Sequence, residues 1–584
     1  MIKQREDTVL ILTPFAEKMN GALVLGTGGW LPPEEREALD WMTLVAMLGW
    51  KVKLTDPGSL HLVDFNNQAV KWVILTGDPD DIDSNTWEQL LLTIRTNQFL
   101  FITRAGKKNG WLSHQFEVFL SENKPAGDRL LYKRPGFCKE WKLQNSLQLA
   151  ELEATQGLNK RAHLSETCIA GTVEESGSKI LFLSFHPSMA RDSEPVFTAL
   201  LKQLLIVENL YPVAWFEWKN TMILRMDDPG SSQPVHDNSF QTAKLGEEEW
   251  DLIGQTLLER NARMSLAYVP AWVDDGDSTR GRLEIDGLPT VRTAGNIYPS
   301  PSVKYYKNLA NGHTRVFDYE DEFRGIEKLR NSGLAEVELH GYTHIHPDKK
   351  AWLKADDRYE NKKWFREFGK SAVSFINSLA EEKHPLLSGI EAFQKNFQSL
   401  PSTLICPGEE FTNNVLEKVL KSGLNLVSSY YLGMRIGHQL CWNQHVCSPY
   451  LDLANPRWFE QELPVVGYFH DFDVSIHGTG WFSEQLEKWQ EAGAKFFIDF
   501  RELSTILSHT VSINEVTSQY RLRLYSENHL PFIKPVRIGF HIPAKNFTST
   551  FLLDSNQETH TLNLSAFEKI STSQTIKQSK WQEL

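Results

Sequence analysis

Two adjacent aspartates are the first residues of this chain whose type and position could support metal-assisted hydrolysis. Asp227 and Asp228 end the apolar run NTMILRMDD (220–228) and are followed by a Pro-Gly pair. Side chains of successive strand residues point to opposite faces, so one carboxylate can bind a metal ion while the other faces a water. The alternative is a solvated acidic turn, because aspartate also favours turns.

A pair of histidines could complete a metal site. His340 and His344 lie four residues apart in LHGYTHIHPD, and on a helical turn this spacing puts both imidazoles on one side. With one aspartate they make the two-histidine, one-carboxylate set that a catalytic Zn²⁺ or a similar ion uses, with positions left open for water. The alternative is a surface loop that happens to contain histidine. A third histidine, His346, is expected behind the ligands or facing solvent.

A further histidine, His470, ends another apolar strand in the segment GYFHD. In a barrel of parallel strands it would share the carboxyl-terminal rim with Asp227. A histidine there can protonate a leaving group, because its unperturbed pKa lies near the working pH. A histidine that only caps a helix fits the pattern equally well.

The elements that must position these residues follow a repeated strand–helix pattern from about 209 to 511. Strands there end in polar clusters, and helical stretches separate them. Repeated units of this length predict a distorted (β/α) barrel, closed or incomplete. Residues 274–318 are rich in Gly, Asp and Pro, and they are expected to form an inserted loop, with a lid over the site as one reading.

The flanking regions have different patterns. Between 1 and 208, short apolar runs alternate with helical patterns, which predicts a doubly wound α/β domain. These runs are TVLILTP (8–14), KWVILTG (71–77), FLFITR (99–104) and KILFLSF (179–185). From 512 to 584, polar and apolar residues alternate, which predicts a small antiparallel β domain with one buried face.

Composition narrows the possible partners. The chain has 584 residues, 41% of them hydrophobic and 23% charged, as in ordinary globular proteins, and its length predicts two to four domains. The net charge of −13 disfavours nucleic acid and anionic lipid surfaces as partners. No stretch is long and apolar enough to predict a membrane span.

The N-terminus and the cysteines indicate a cytoplasmic protein. The first apolar run is short and follows two acidic residues, as expected of a buried strand rather than a signal peptide. Five cysteines form an odd, sparse set that fits a reducing compartment. Cys441 and Cys447 flank His445, but their spacing favours buried thiols over a zinc site.

Together, MDDPG, HGYTH and YFHD resemble the motifs of the polysaccharide deacetylase (NodB-homology) superfamily, in the same order, between about 220 and 508. The resemblance implies that Asp227 is the catalytic base and that Asp228 is a metal ligand. It implies that His340 and His344 are the other two ligands. It assigns the role of general acid to His470.

The third motif of that family departs from its usual form. ICPGEEF matches its position, but Ile405 and Cys406 stand where the family has an arginine that orients the base. Arg225 lies two residues before Asp227 and therefore on the same strand face. We expect Arg225 to take over the orienting role.

Two other departures concern the fourth motif and an insertion. The acid of the fourth motif could be Asp452 or Asp473, and the sequence does not distinguish them. The stretch 229–335 is much longer than in minimal members of the family. Both departures leave the substrate less defined than the metal site.

The N-terminal region resembles a class I glutamine-amidotransferase-like or flavodoxin-like domain, chiefly in LSFHPSMARDSEPVFTALLKQLL (183–205). Reactive members carry a nucleophilic cysteine after a central strand, and here FLFITR runs into AGKKNGW without one. A thiol nucleophile is needed for that chemistry, so this domain is expected to be non-catalytic. His186 is accordingly expected to be structural.

The resemblance implies a metal-dependent hydrolase that removes acetyl groups from a carbohydrate. It implies one divalent ion per chain, with zinc favoured and cobalt or nickel as alternatives. Hydrolysis of another C–N bond by the same site and a non-catalytic carbohydrate-binding protein remain as alternative functions. The oligomeric state is left open by the sequence.

Overall fold

The chain forms two compact units. The computed structural model describes residues 6–26, 33–65, 69–135, 137–189, 194–237, 242–354, 364–516, 519–526, 535–553 and 559–562. The first unit comprises Met1–Ala22, Gly29–Trp218 and Thr505–Leu584, and the second comprises Leu23–Gly28 and Lys219–Ser504. The second unit therefore lies largely between two distant segments of the first along the chain.

A nine-stranded mixed sheet is the centre of the first unit. In spatial order its strands are Lys51–Thr55, Asp7–Leu12, Ala69–Leu75, Leu100–Arg104, Ser178–Leu183, Thr167–Glu175, Asn159–Leu164, Ala126–Arg134 and Phe137–Gln148. The first five are parallel and the last four pair antiparallel. Only the parallel half has the strand–helix alternation expected of a doubly wound domain.

Two helices of the first unit begin or end beside residue types that favour helix termini. The helix Pro33–Met47 starts at a proline and is followed by Gly49, whose φ of +82° is left-handed. The other helices are Ala16–Gly21, Ser84–Thr96, Trp111–Phe116 and Val196–Val207, with 3₁₀ turns at Pro57–Leu62, Pro79–Asp81 and Pro543–Lys545. Asp83 caps one of them by accepting a hydrogen bond from the Thr86 backbone N–H, at 3.0 Å.

Smaller sheets in the first unit join residues far apart in sequence. Three antiparallel strands pair as Val213–Phe216, Val536–Ile542 and Phe547–Leu553, and three more as His509–Val516, Gln519–Ser526 and Thr559–Leu562. Val118–Leu120 pairs with Leu152–Ala154. The C-terminal strands thus belong to the same compact unit as the N-terminal residues. The independent domains expected at 1–208, 209–511 and 512–584 stay a prediction.

A ten-stranded sheet is the centre of the second unit. In spatial order its strands are Val24–Leu25, Gln439–Cys447, Tyr431–Ile436, Leu426–Ser428, Thr403–Ile405, Ala335–Leu339, Met264–Tyr268, Thr221–Asp227 and Val465–His470, and Phe496–Phe497 also pairs with Thr221–Asp227. The six strands from Leu426–Ser428 to Val465–His470 are parallel. Among the described residues, the pairings do not close this sheet into a barrel.

Helices accompany the strands of the second unit, and several of them form its core with these strands. They are Gln233–His236, Glu247–Glu259, Tyr319–Asn331, Lys349–Lys354, Val373–Ser378, Pro385–Phe397, Asn413–Lys421, Asp471–His477, Thr479–Ala492 and Phe500–Leu507, with 3₁₀ turns at Ser300–Ser302, Lys370–Ala372, Glu381–Lys383, Pro407–Glu409 and Pro456–Phe459. Leu266, Trp250 and Leu386 are among the fully buried side chains of this core. No helix in the described ranges is both long and apolar enough to cross a membrane.

The prediction of an inserted loop at 274–318 is wrong, because about half of this segment is β structure that pairs into sheets. Leu288–Thr290, Gly281–Ile285, Val303–Asn308 and Thr314–Asp318 form a four-stranded antiparallel sheet, and Ala271–Val273 pairs with Ile297–Pro299. Asp286 and Gly287 both have positive φ, at +52° and +74°, and they join the first two strands. An Asp-Gly pair between alternating residues is typical of a β-hairpin, and the loop prediction did not take this pair into account.

Candidate active site

The candidate catalytic residues lie at the carboxyl ends of parallel strands. Four strands of the ten-stranded sheet end at Asp227, Leu339, Ile405 and His470. Asp227 and His470 are direct neighbours in the register of their two strands, and His340 follows Leu339. Carboxyl ends of parallel strands are where ligands bind in α/β folds.

Asp228, His340 and His344 converge as a possible metal site. Asp228 Oδ1 is 3.4 Å from His340 Nε2 and 3.2 Å from His344 Nε2, and one ligand atom from each residue lies within 4.8 Å of the other two. All three side chains are buried. Asp228 Oδ1 has no hydrogen-bond partner among the described residues. A buried carboxylate oxygen facing two imidazoles without a hydrogen bond fits a divalent ion well.

Hydrogen bonding prepares His340 as a ligand. Its Nδ1 lies 3.1 Å from the Ile405 carbonyl oxygen, which can only accept, so Nδ1 carries a proton, and in the neutral ring Nε2, on the Asp228 side, is available to bind an ion. Burial lowers the pKa of His344 to about 4, so this ring is neutral at pH 7. Neutral imidazoles are the form that binds metal ions.

The carboxylate of Asp228 is held in its charged form. Burial alone would raise its pKa, but the neighbouring imidazoles of His344 and His340 hold the pKa well below its usual range. In turn, burial would lower the pKa of His340, and its contact with Asp228 raises it instead. The three side chains are therefore electrostatically coupled at close range.

The backbone of Asp228 is strained and held by a buried charge cluster. Its φ of +79° is left-handed, which is unusual for a residue with a side chain. Lys244 Nζ donates to the Asp228 carbonyl oxygen at 3.2 Å, forms an ion pair with Asp471, and lies 3.0 Å from Glu322 Oε1. Glu322 Oε2 accepts the Gly230 backbone N–H at 2.9 Å. These contacts fix the turn that carries the ligand.

A second carboxylate holds the loop of His344. Glu367 accepts the backbone N–H groups of Tyr342, Thr343 and His344 at 2.8, 3.1 and 3.2 Å. His344 also has a left-handed φ, of +59°. His346 is outside the ligand group: its Nδ1 accepts the Asp348 backbone N–H at 3.2 Å, as in a local turn.

Arg225 donates hydrogen bonds to the carboxylate of Asp227. Its Nε donates to both oxygens of Asp227, at 2.8 and 3.1 Å, and its Nη1 donates to Ser428 Oγ and the Ser429 carbonyl oxygen. The side chain is fully buried and lies over the Tyr468 ring at 4.9 Å. Burial opposes its charge, but the adjacent carboxylates raise its pKa above the ordinary value. Its orienting role remains a proposal supported by these contacts.

His470 is paired with an aspartate one helical turn on. Its Nδ1 lies 3.4 Å from Asp473 Oδ2 and 3.2 Å from the Tyr450 hydroxyl, and its backbone N–H donates to Asp473 at 2.8 Å. Burial lowers the pKa of His470, but Asp473, Asp228 and Asp227 outweigh it and raise the pKa to about 9. Of the two candidates for the fourth motif's acid, Asp473 is the one whose contact with His470 is seen.

Sequence reasoning missed four charged residues around the site: Glu409, Lys244, Glu322 and Glu367. Glu409 contacts Arg225, and the other three hold the backbone of the ligand turns. Lys244, Glu322 and Glu367 lie outside the recognised motifs, because each is brought in from a separate element. Glu409 lies in ICPGEEF, the segment that matches the third motif, but its contact with Arg225 depends on packing.

His186 in the first unit is engaged at both ring nitrogens. Its Nε2 lies 3.4 Å from the buried Glu37 carboxylate, and its Nδ1 accepts the Ser188 backbone N–H at 3.1 Å. The same Nδ1 contact recurs in the other His-Pro-X turns, at His346 and His384. A recurring turn is a structural use of histidine, and the structural role of His186 stays a prediction.

Comparisons with known proteins place deacetylases among the structural neighbours. No protein-family model and no curated protein matches the chain. A Mycobacterium smegmatis protein assigned to the polysaccharide deacetylases is 13% identical over 51% of this chain and 93% of its own, with a TM-score of 0.28. A CE4 family pseudoenzyme from Bacillus anthracis is 9% identical over 49% of this chain and 66% of its own, with a TM-score of 0.24.

A glycosidase is also among these neighbours. An exo-β-1,4-mannosidase from Opitutaceae bacterium strain TAV5 is 10% identical over 34% of this chain, with a TM-score of 0.23. The chain spans only 33% of the length of that enzyme. None of these three neighbours is more than 13% identical to the chain, and none has a TM-score above 0.28.

Proposed function

We propose that this chain is a metal-dependent hydrolase that removes acetyl groups from a carbohydrate. The observation that carries the proposal is the buried convergence of Asp228, His340 and His344 beside Asp227 and His470. This arrangement unites a three-ligand metal set, a carboxylate and an imidazole at one edge of a sheet. Those are the groups that metal-assisted hydrolysis of an amide or ester requires.

Asp228, His340 and His344 would hold the ion, with zinc favoured and cobalt or nickel as alternatives. When bound, a divalent ion supplies Lewis acidity that polarises the acetyl carbonyl and acidifies the attacking water. The ligand turns are held by Glu367 and Lys244, so the side chains are already oriented. A preorganised ligand set loses little entropy when the ion binds.

The remaining residues move protons. Asp227 accepts the proton of the water as its oxygen bonds to the acetyl carbon, and Arg225 keeps the carboxylate aimed. His470 donates a proton to the departing nitrogen or oxygen when the C–N or C–O bond breaks. Asp473 stabilises the charged form of His470 before that transfer. The products are acetate and the free amine or alcohol.

Acetate release from chitooligosaccharides tests this proposal. We expect the zinc-loaded protein to release acetate, the chelated protein to release none, and added zinc or cobalt to restore the activity. Release of ammonia or another amine from non-acetyl amides would instead indicate an amidohydrolase of another C–N bond. Carbohydrate binding without turnover in the loaded protein would indicate the non-catalytic alternative. A cytoplasmic location remains part of the proposal.

A further inference from the structure

Glu409 shares a donor with the residue proposed as the base. Arg225 Nη2 donates to Asp227 Oδ2 and also to Glu409 Oε1. One nitrogen atom therefore separates the carboxylate of Glu409 from that of Asp227. The guanidinium between them is fully buried, and the Glu409 side chain is only 13% exposed.

The chain takes an uncommon backbone path to bring Glu409 to this position. Pro407 and Gly408 form a turn that is closed by a 3.0 Å hydrogen bond from the Glu409 N–H to the Cys406 carbonyl oxygen. Gly408 has a φ of +61° and Glu409 a φ of +59°, so two consecutive residues are left-handed. A left-handed glutamate costs energy and persists only where its surroundings hold it. Here Ser429 Oγ donates to the Glu409 carbonyl oxygen at 3.2 Å.

Every nitrogen of the Arg225 guanidinium has a hydrogen-bond partner. Its Nε contacts Asp227 and its Nη1 contacts the Ser428 hydroxyl and the Ser429 carbonyl, so Glu409 supplies the second partner of Nη2. Contacts on two sides of the planar fork, from Glu409 and from the Ser428–Ser429 pair, fix its orientation relative to the rest of the site. Without Glu409, only Nη1 would tie the guanidinium to a group other than Asp227, so Arg225 and Asp227 could pivot together about that contact.

The second oxygen of Glu409 argues against a purely stabilising contact. Oε2 is buried and has no hydrogen-bond partner among the described residues, which is costly for a carboxylate. One carboxylate, Asp227, already neutralises Arg225. A second, half-satisfied carboxylate adds little to folding stability, since buried ion pairs often fail to offset their desolvation.

We propose that Glu409 is a positioning residue for the hydrolysis: it holds the plane of the Arg225 guanidinium and thereby aims the carboxylate of Asp227. The inference rests on the proposed function, in which Asp227 accepts the proton of water. It assigns to Glu409 a task that the motif resemblance does not contain, because the arginine here comes from the strand of Asp227 itself. Glu409 is not in the metal ligand group, so the ion should be unaffected.

The kinetic test compares Glu409→Gln, Glu409→Ala and Glu410→Gln in the zinc-loaded full chain. Glu410 is the matched control, because it is the next residue and pairs with Arg366 at 3.2 Å near the surface. We expect kcat for acetate release to fall about 10- to 100-fold in both Glu409 variants, since small misplacements of a reacting group have effects of this size. KM should change less than about twofold, because Glu409 does not bind substrate. Glu410→Gln should match the wild type.

Two readouts separate positioning from a general loss of structure. Formate should restore part of kcat in Glu409→Ala, because it can fill the carboxylate position beside Arg225. Zinc content should stay at about one ion per chain in every variant. A raised KM with unchanged kcat, or kcat equal to that of Glu410→Gln, would overturn the inference while leaving the proposed function intact.

A crystal structure of Glu409→Ala, which removes the acceptor of Nη2, decides the question even if the wild type releases no acetate from any substrate tested. We expect the Arg225 guanidinium to rotate and its 2.8 Å contact with Asp227 Oδ1 to lengthen. If Arg225 and Asp227 keep their wild-type positions in that variant, Glu409 does not hold them and the inference fails. Inactivity of the wild type alone would count against the proposed function only.

Discussion

The two adjacent aspartates differ in what surrounds their carboxylates. Asp227 is held by Arg225 on both oxygens, whereas Asp228 Oδ1 faces His340 and His344 without a hydrogen bond. The contacts of Asp227 fix its carboxylate outside the group of proposed metal ligands. The contacts of Asp228 leave its Oδ1 available to bind a cation. The division of roles can therefore be tested by single substitutions.

Asp227→Asn should abolish most turnover while leaving the metal in place, and Asp228→Asn should lose metal and turnover together. Loss of a general base commonly lowers the rate about 10²- to 10⁴-fold. Zinc stoichiometry and acetate release, measured side by side, check both expectations. If Asp227→Asn lost the ion and Asp228→Asn kept it, the two roles would be reversed.

His470→Gln should retain the metal and lose most activity on substrates with poor leaving groups. An amine or a sugar alkoxide needs a proton as it departs, whereas a nitrophenolate does not. The rate on an N-acetylated sugar should therefore fall far more than the rate on p-nitrophenyl acetate. His477→Gln, at the exposed end of the helix Asp471–His477 that follows His470, is the control and should change neither rate. An equal loss on both substrates would argue against an acid role.

At this scale, the sequence pointed to the residues that the structure brings together. Asp228, His340 and His344, which the structure groups, were predictable because a strand end and a four-residue spacing can be recognised in the local sequence. Arg225 was found by strand alternation, which is also local. Glu367 and Lys244 could not be found in this way, because their partners lie 23 and 16 residues away and depend on packing.

Among the elements, two strands beside the site are joined by a buried glutamate as well as by backbone pairing. The strands Ala335–Leu339 and Thr403–Ile405 share one register pair, Leu339 with Leu404. Glu338 accepts hydrogen bonds from the Ser402 and Thr403 N–H groups, at 2.7 and 2.9 Å. This contact sets the position of Ile405, whose carbonyl orients His340.

Glu338→Gln should reduce the pH dependence of stability. Burial raises the pKa of Glu338 to about 7, above its value of 4.5 in the unfolded chain, so the folded state holds this proton more tightly. Its contribution to stability is therefore full below pH 4.5 and is lost as the pH rises through 7, by about 3 kcal/mol in total. Glutamine stays neutral and can keep the contacts to Ser402 and Thr403.

Urea unfolding at pH 5 and pH 8 measures this difference. As the pH rises, the free energy of unfolding of Glu338→Gln should increase relative to that of the wild type. Glu484→Gln is the control, because Glu484 is exposed and pairs with Lys488 at 2.7 Å. Equal pH dependence in the wild type and Glu338→Gln would contradict the shifted pKa.

Glu367→Gln should weaken metal binding without changing the ligands. The carboxylate holds three successive N–H groups of the His344 loop, and an amide offers only one acceptor atom. Loss of such outer contacts typically lowers metal affinity about 10- to 100-fold. Competition with a chromophoric chelator gives the zinc affinity of each variant. An unchanged affinity would show that the loop holds its shape without Glu367.

The sequence predicts whether a segment is a strand or a helix where its hydrophobic periodicity is strong, but it does not predict how the strands pair into sheets. The buried strand at 221–227 and the helix at 33–47 follow from apolar runs and from Pro and Gly at their ends. The β structure of 281–318 was missed because its polar, glycine-containing composition resembles a loop. The antiparallel half of the nine-stranded sheet depends on long-range pairing, which a local pattern does not report.

For the whole molecule, the metal should stabilise the second unit selectively. All three proposed ligands belong to that unit, and an ion that binds only the folded state adds about 2.7 kcal/mol at a free concentration 100 times its Kd. Chelation should therefore lower the unfolding temperature of the second unit. Hydrogen exchange with and without zinc can locate the effect. Protection gained only in the first unit would place the ion elsewhere.

The division of the first unit into distant segments has a consequence during synthesis on the ribosome. The strand Val213–Phe216 pairs with Val536–Ile542, and almost the whole second unit is translated between them. At roughly 5–20 residues per second, the earlier strand waits on the order of tens of seconds for its partner. During that interval its edge can pair with other chains, as unpaired strand edges do. The second unit, with its proposed metal ligands, can therefore fold completely while the first unit still lacks its last strands.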